Sequence, residues 1–145
     1  MNCMQTQMTF AATAAILGLS SLLHAADFHA SPEGAGSKDG SSKANAAAAD
    51  GIAGLFNDKM QAGDRLLLAA GIYKTSLSLN NGGTADKHKS IEGPTGSETA
   101  TFQSTWTIDK PDKGATAINL GAGLTGVTLK NLHISHYCFA IRAGV

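Results

Sequence analysis

The chain is divided into many short apolar segments, and this feature constrains its fold more than any other. From Arg65 onward, runs of three to five residues with alternating apolar and polar side chains are separated by Gly, Asn, Asp and Pro. Such short runs between turn-forming residues are typical of β-strands. Three all-β folds are built from many short strands: a sandwich, a barrel and a β-solenoid.

Three observations favour the solenoid. The strands are shorter than those of most sandwiches, and no Asn-Gly or Asp-Gly pair forms a two-residue hairpin, since Asn81-Gly82 lies in a longer loop. The segment 126–135 places its apolar side chains on one side of the chain around Asn131, as a coil does when it turns a corner. The inward residues are Val127, Leu129, Leu132 and Ile134. Repeats of roughly 20–30 residues are typical of stacked coils.

One helix is predicted ahead of the strands, over Ala44 to Met60. Its apolar residues lie at helical spacing and form one stripe, and Gly63 is predicted to stop the helix. A helix with a single apolar stripe needs a surface to cover. The stripe consists of Ala48, Ile52, Leu55, Phe56 and Met60.

The segment from Met1 to Ala26 is predicted to be a secretory signal peptide. It contains no Lys, Arg, Asp or Glu, and an apolar run from Phe10 to Leu23 leads to the small residues Ala25 and Ala26. Cleavage follows Ala25 or Ala26 and leaves Cys138 as the single cysteine, so no internal disulfide can form. The region before the apolar run lacks a basic side chain, which leaves a buried N-terminal helix as the alternative.

Charge excludes two classes of protein. Eleven basic and eleven acidic residues balance, and charged residues make up 15% of the chain without a basic run. A nucleic-acid-binding domain normally shows a basic stripe, and a disordered tail normally has a high net charge. No apolar stretch after the signal peptide is long enough for a membrane span.

The segment from Phe28 to Tyr73 resembles the N-terminal cap and first coil of right-handed parallel β-helix proteins of the pectin-lyase-like superfamily. The resemblance is carried by a strand followed by Ser31-Pro32-Glu33-Gly34, then Asp39-Gly40-Ser41-Ser42, then a helix. Gly63-Asp64, the apolar run from Leu66 to Leu68, and Gly71-Ile72-Tyr73 follow in the family's order.

The resemblance implies an all-β fold, a right-handed parallel β-helix or solenoid with an N-terminal capping α-helix. The domain organisation expected is a signal peptide at 1–26 and the N-terminal part of a β-helix domain at 27–145. Gly63-Asp64 is then a tight turn, Gly71 permits a bend, and Tyr73 covers the end of the coil. Because 141–145 resembles the middle of a coil, we expect a truncated chain, the alternative being a short natural protein.

The resemblance also implies chemistry on polysaccharides. Lyases of this fold use Lys or Arg as a base and Ca²⁺ or another cation to neutralise a uronate, whereas the hydrolases use clustered Asp. No catalytic set is visible in this sequence, so whether the chain is an enzyme stays open. The outward positions of the last coils nevertheless offer three catalytic candidates, namely Lys130, His133 and Arg142.

Other residues offer weaker chemistry. Trp106 is the candidate for substrate binding, because an indole ring can stack on a sugar. No metal site is predicted from the residues: Asp109 and Asp112 are too few oxygen ligands for calcium, so Ca²⁺ is implied by the family resemblance alone. Cys138 lies between Tyr137 and Phe139, and we expect it to be buried.

The expected function is that of a secreted or periplasmic β-helix protein that acts on or binds polysaccharide. One alternative is a non-catalytic surface adhesin or polysaccharide-binding module, and another is an inactive truncated fragment. The expected partner is a polysaccharide, with no nucleic acid and no membrane span once the signal peptide is removed.

Overall fold

The computed structural model describes residues 25–110 and 115–144. Within them the chain forms ten β-strands, and all seven strand pairings are parallel. The strands are β1 (Asp27–Ala30), β2 (Arg65–Leu68), β3 (Gly71–Tyr73), β4 (Leu77–Leu79), β5 (Lys89–Glu92), β6 (Ala100–Gln103), β7 (Thr116–Leu120), β8 (Val127–Lys130), β9 (Leu132–Ser135) and β10 (Phe139–Ala143). The predicted signal peptide, apart from its last two residues, lies outside the described part.

The strands are distributed among three parallel sheets in a repeating order. The sheets run β1-β2-β5-β8, β3-β6-β9 and β4-β7-β10, so three consecutive strands enter three different sheets and the next three join them in the same order. The number of residues between paired strands is uneven. The chain from Arg65 to its partner Ser90 is much shorter than the chain from Ser90 to its next partner, Thr128. The all-β class is confirmed, while the predicted range of repeat lengths is too narrow.

The predicted corner between β8 and β9 is confirmed. Asn131 separates two strands that belong to different sheets, and its φ of +53° lies in the left-handed region that Asn tolerates better than most residues. Lys130 and His133 are exposed on either side of it. The four apolar residues predicted to point inward are half-buried against the core: Val127, Leu129, Leu132 and Ile134.

The core lies between the sheets and contains two stacked aromatic rings. Tyr73 and Phe102, which are paired across β3 and β6, are both fully buried with their ring centres 5.3 Å apart. The Tyr73 hydroxyl donates to the carbonyl oxygens of Ala69 and Ala30, at 2.8 and 3.2 Å. Burial raises the pKa of Tyr73, so the hydroxyl keeps its proton and remains a donor.

The single helix predicted over Ala44 to Met60 is wrong in its first half. A separate 3-10 turn forms at Lys43–Asn45, and helical structure resumes only at residue 49. Between them the backbone pairs with the end of β1, since the Ala47 nitrogen donates to the His29 oxygen and the Ser31 nitrogen donates to the Ala47 oxygen. Those long-range hydrogen bonds override the helical preference of the alanines.

The helical segment, residues 49–59, consists of three short pieces in succession. A 3-10 turn at Ala49–Gly51, an α-helical turn at Ile52–Gly54 and a π-helical turn at Leu55–Lys59 follow one another without a break. The predicted apolar stripe is confirmed for its large residues, which are buried in the core: Ile52, Leu55, Phe56 and Met60. No helix in residues 25–110 or 115–144 is long and apolar enough to cross a membrane.

A buried lysine connects the helical segment to the first sheet. Lys89, on β5, is only 2% exposed, and its Nζ donates to the Phe56 carbonyl oxygen at 3.0 Å while lying 5.2 Å from the centre of the Phe56 ring. Burial lowers the pKa of Lys89, and the negative charges of Asp64 and Asp58 partly oppose that shift. The ammonium group therefore holds the carbonyl end of the helical segment against β5.

The helical segment also protects the edge of a sheet. β4 is an edge strand of its sheet, and unpaired edges can recruit other strands. Here the Asn57 side chain takes the place of a neighbouring strand: its Nδ2 donates to the Ser78 oxygen at 2.9 Å, and its Oδ1 accepts from the Asn80 nitrogen at 2.9 Å and the Asn81 nitrogen at 3.2 Å.

Replacing Asn57 with alanine should lower the free energy of unfolding by about 1–2 kcal/mol, because the Ser78 carbonyl of β4 and the two backbone amides that follow this strand lose their partners. Hydrogen exchange measured by NMR should become faster at the amides of Asn80 and Asn81. The exposed neighbour Lys59 provides the control, and Lys59→Ala should leave both exchange rates unchanged. Equal exchange rates in Asn57→Ala and wild type would contradict the proposed protection.

Candidate functional site

The outward face of the first sheet carries two rows of aligned residues, most of them polar. Residues paired across neighbouring parallel strands place their side chains side by side on one face. The first row is Asp27, Arg65, Ser90 and Thr128. The second row is His29, Leu67, Glu92 and Lys130.

Hydrogen bonds along these rows connect the charged side chains and set the protonation state of Glu92. Arg65 forms a bidentate pair with Asp27, at 2.8 and 2.7 Å. Glu92 Oε1 accepts from the Ser90 hydroxyl at 2.7 Å and from Lys130 Nζ at 3.3 Å. The Ser90 hydrogen bond, followed by the contribution of Lys130, holds the pKa of Glu92 below its usual value. Glu92 is thus an ionised acceptor at neutral pH and not a proton donor.

Where the strands of the first sheet end, the surface opens into a groove of about 590 Å³. This first groove receives groups from four separate parts of the chain: the end of β1 with the segment after it, the end of β2, the end of β5 with the loop 93–99, and Asn131 after β8. Its lining combines charged and amide groups with apolar surfaces. Its polar side chains include His29, Lys43, Glu92, Glu98 and Asn131, and Leu67 and Pro94 are among the apolar ones.

A second groove, of about 480 Å³, lies on the other side of the loop 93–99. Pro94, Thr95, Glu98 and Asn131 line both grooves, so the loop forms the ridge between them. His133 also lines the second groove. We call the two together the corner grooves, because they flank the turn from the first sheet to the second.

The structure brings two of the four predicted site residues near the corner grooves. Lys130 bonds Glu92 beside the first groove, and His133 lines the second, with its Nδ1 3.4 Å from the Thr101 hydroxyl oxygen. Arg142 lies on β10 in the third sheet, aligned with Asn119. Trp106 follows β6 and is half-buried, and it lines neither groove.

Sequence reasoning missed the carboxylates of this region. The alternation Ser90-Ile91-Glu92 could have indicated that Glu92 points outward, but not that it faces Lys130, which is distant in the sequence. Glu98 lies in a loop and Lys43 in a three-residue 3-10 turn, so neither belongs to a periodic segment that could place it. Their convergence depends on the pairing of strands that are far apart along the chain.

The described residues contain no group of three or more His, Cys, Asp or Glu side chains that could hold a metal ion. Asp109 is exposed, and Asp112 lies outside the described residues. The expected burial of Cys138 is wrong: it is exposed, because it immediately precedes β10, whose residues are all exposed. An aromatic neighbour on each side was therefore not evidence of burial.

No model of a protein family, no curated protein and no solved structure matches this chain. The fold and the candidate site therefore rest on the geometry described above. The class that this geometry defines is an all-β protein built from parallel sheets, with two adjoining grooves at one corner that are lined by both charged and apolar side chains.

Proposed function

We propose that the chain is a secreted or periplasmic protein with a right-handed parallel β-helix of the pectin-lyase-like kind, and that it binds polysaccharide in the corner grooves. The repeated assignment of strands to three sheets supports the β-helix, since each set of three strands would be one coil. The sequence of residues 1–26 supports export. The family motifs around Gly63-Asp64 and Gly71 lie at the turns where a first coil would need them.

The observation that carries the binding proposal is the lining of the two grooves. Sugar hydroxyls both donate and accept hydrogen bonds, and a site for them needs both kinds of partner. Glu92 and Glu98 supply acceptors, Lys43 supplies donors, and the Asn131 amide supplies both. Pro94 adds a small apolar surface for the faces of sugar rings.

The continuity of the grooves favours a polymer over a single sugar. Glu98 and Asn131 border both grooves, so a chain that crosses the ridge would contact the same two side chains from either side. A repeating ligand presents similar hydroxyl groups to both grooves. Successive units bound in this way add to the affinity without requiring a deep pocket.

Binding is favoured over cleavage by the placement of the candidate catalytic residues. Lys130, His133 and Arg142 lie on strands of three different sheets. A base and the groups that assist it must meet at one reacting carbon. Lys130 also forms an ion pair with Glu92 on the neighbouring strand.

Replacing Glu98 with glutamine should weaken polysaccharide binding by about tenfold or more, because a charged acceptor for hydroxyl groups becomes a neutral amide. Affinity electrophoresis in gels that contain a neutral glucan would measure the change. Asp86→Asn makes the same change of charge at an exposed residue that lines neither groove, and its binding should equal that of wild type.

Two results would overturn the binding proposal. One is migration of the wild-type protein that no polysaccharide retards. The other is equal retardation of Glu98→Gln and wild type. Release of unsaturated sugar, followed by its ultraviolet absorbance, would instead replace binding with a lyase activity.

A further inference from the structure

A nearly buried carboxylate holds a backbone nitrogen at the start of the described chain. Asp64, only 5% exposed, accepts from the Ala26 nitrogen at 2.8 Å through Oδ1 and from the Gln61 nitrogen at 2.7 Å through Oδ2. The Ala26 carbonyl oxygen in turn accepts from the Arg65 nitrogen at 2.9 Å. Ala26 is thus fixed on both sides, one residue before β1.

The same residue lies at the end of the proposed signal peptide. Small residues allow cleavage after Ala25 or after Ala26, and the sequence does not decide between them. Cleavage after Ala26 would remove both the nitrogen that Asp64 holds and the oxygen that Arg65 holds. Cleavage after Ala25, which is exposed, keeps both contacts.

We propose that the mature chain begins at Ala26 and that Asp64 binds its new α-ammonium group. The inference rests on the proposed export, since a signal peptidase must make the cut. Hydrolysis breaks the bond between the Ala25 carbonyl carbon and the Ala26 nitrogen. The hydroxyl group of water goes to Ala25, and the freed amine takes up protons to become an ammonium group.

The surroundings of Asp64 suit an ammonium group better than a peptide N–H. Hydrogen bonds between ionised partners are shorter and roughly twice as strong as neutral ones. Asp64 Oδ2 is already held by Gln61, so Oδ1 is fixed in position. The guanidinium of Arg65 is engaged by Asp27, and Lys89, whose charge Asp64 influences, bonds the Phe56 carbonyl. Ala26 itself is exposed, so the remaining ammonium protons can reach water.

The first test is the intact mass and N-terminal sequence of the product that a secreting bacterial host makes from the full chain. A product that begins at Ala26 is the expected result. A product that begins at Asp27 overturns this inference and leaves the proposed export intact. A chain that keeps Met1 overturns both.

The second test measures whether the carboxylate binds the ammonium group. In the folded secreted product at pH 7, acylation of the α-amine should be at least about fivefold slower than in the same product unfolded in urea, because a bound ammonium group is less often free as amine. Asp64→Asn keeps oxygen and nitrogen atoms at the same positions, and its folded form should lose most of that protection. Equal rates in the folded and unfolded wild-type product overturn the inference without requiring any variant to fold.

Discussion

Replacing Phe102 with alanine is expected to lower the free energy of unfolding by about 3–5 kcal/mol, the range for large aromatic residues removed from a core. Phe102 is fully buried on β6, the central strand of its sheet, and its ring packs against that of Tyr73. The β6 register also aligns Phe102 with Ile134 on β9. The substitution therefore leaves a cavity between Tyr73 on β3 and Ile134 on β9. These two strands cannot easily move together, because β6 lies between them.

Urea denaturation followed by circular dichroism would measure this loss. Phe139 provides a matched control, because it is the same residue type on a strand of the third sheet but is 49% exposed. Phe139→Ala should lower the free energy of unfolding by less than about 1 kcal/mol, since Phe139 buries less apolar surface on folding than Phe102 does. Equal losses for the two variants would mean that Phe102 is not in the core as described.

Replacing Gly71 with alanine should lower the free energy of unfolding by about 2–4 kcal/mol, for two separate reasons. Gly71 has a φ of +142°, a conformation that strains any residue with a Cβ atom. A Cβ atom built there would lie 2.6 Å from Pro32 Cγ, so the start of β3 would have to move away from the segment after β1.

Gly96→Ala separates the two causes. Gly96 also has a positive φ, +93°, but a Cβ atom there would meet nothing within 4 Å. Gly96→Ala should lower the free energy of unfolding by about 1 kcal/mol, from backbone conformation alone. Thermal unfolding of both variants gives the comparison, and a Gly71→Ala protein as stable as Gly96→Ala would contradict the close contact with Pro32.

Strands were the part of the fold that local sequence could predict. Alternation from Ser76 to Asn80 predicts the strand observed at 77–79, because one face of it is buried and the other is exposed. The helix over Ala44 to Met60 was overextended, since Ala47 is held by hydrogen bonds to His29 and Ser31 that local propensity cannot include. Residues 106–108 also alternate apolar and polar side chains, but they form only an isolated bridge between Thr107 and Lys110.

The candidate site was harder to predict than the fold. Lys130 and His133 were expected to be exposed from the alternation of one corner, and they are. Glu92 and Glu98 could not be joined to them, because only the register between β5 and β8 sets which side chains are neighbours. The connections between aligned strands differ in length, so no fixed repeat could have supplied that register.

The parallel pairing of every strand has a consequence for the rate of folding. In the described pairings even Thr116 and Phe139, which are among the closest partners, are separated by the whole of β8 and β9, and Leu77 and Ile118 are separated by β5 and β6. No sheet contact can therefore form before a long loop closes, and that closure costs entropy before any pairing offsets it. The chain is expected to fold in milliseconds to seconds, as proteins dominated by non-local contacts do, and to expose its apolar strands to aggregation while it does so.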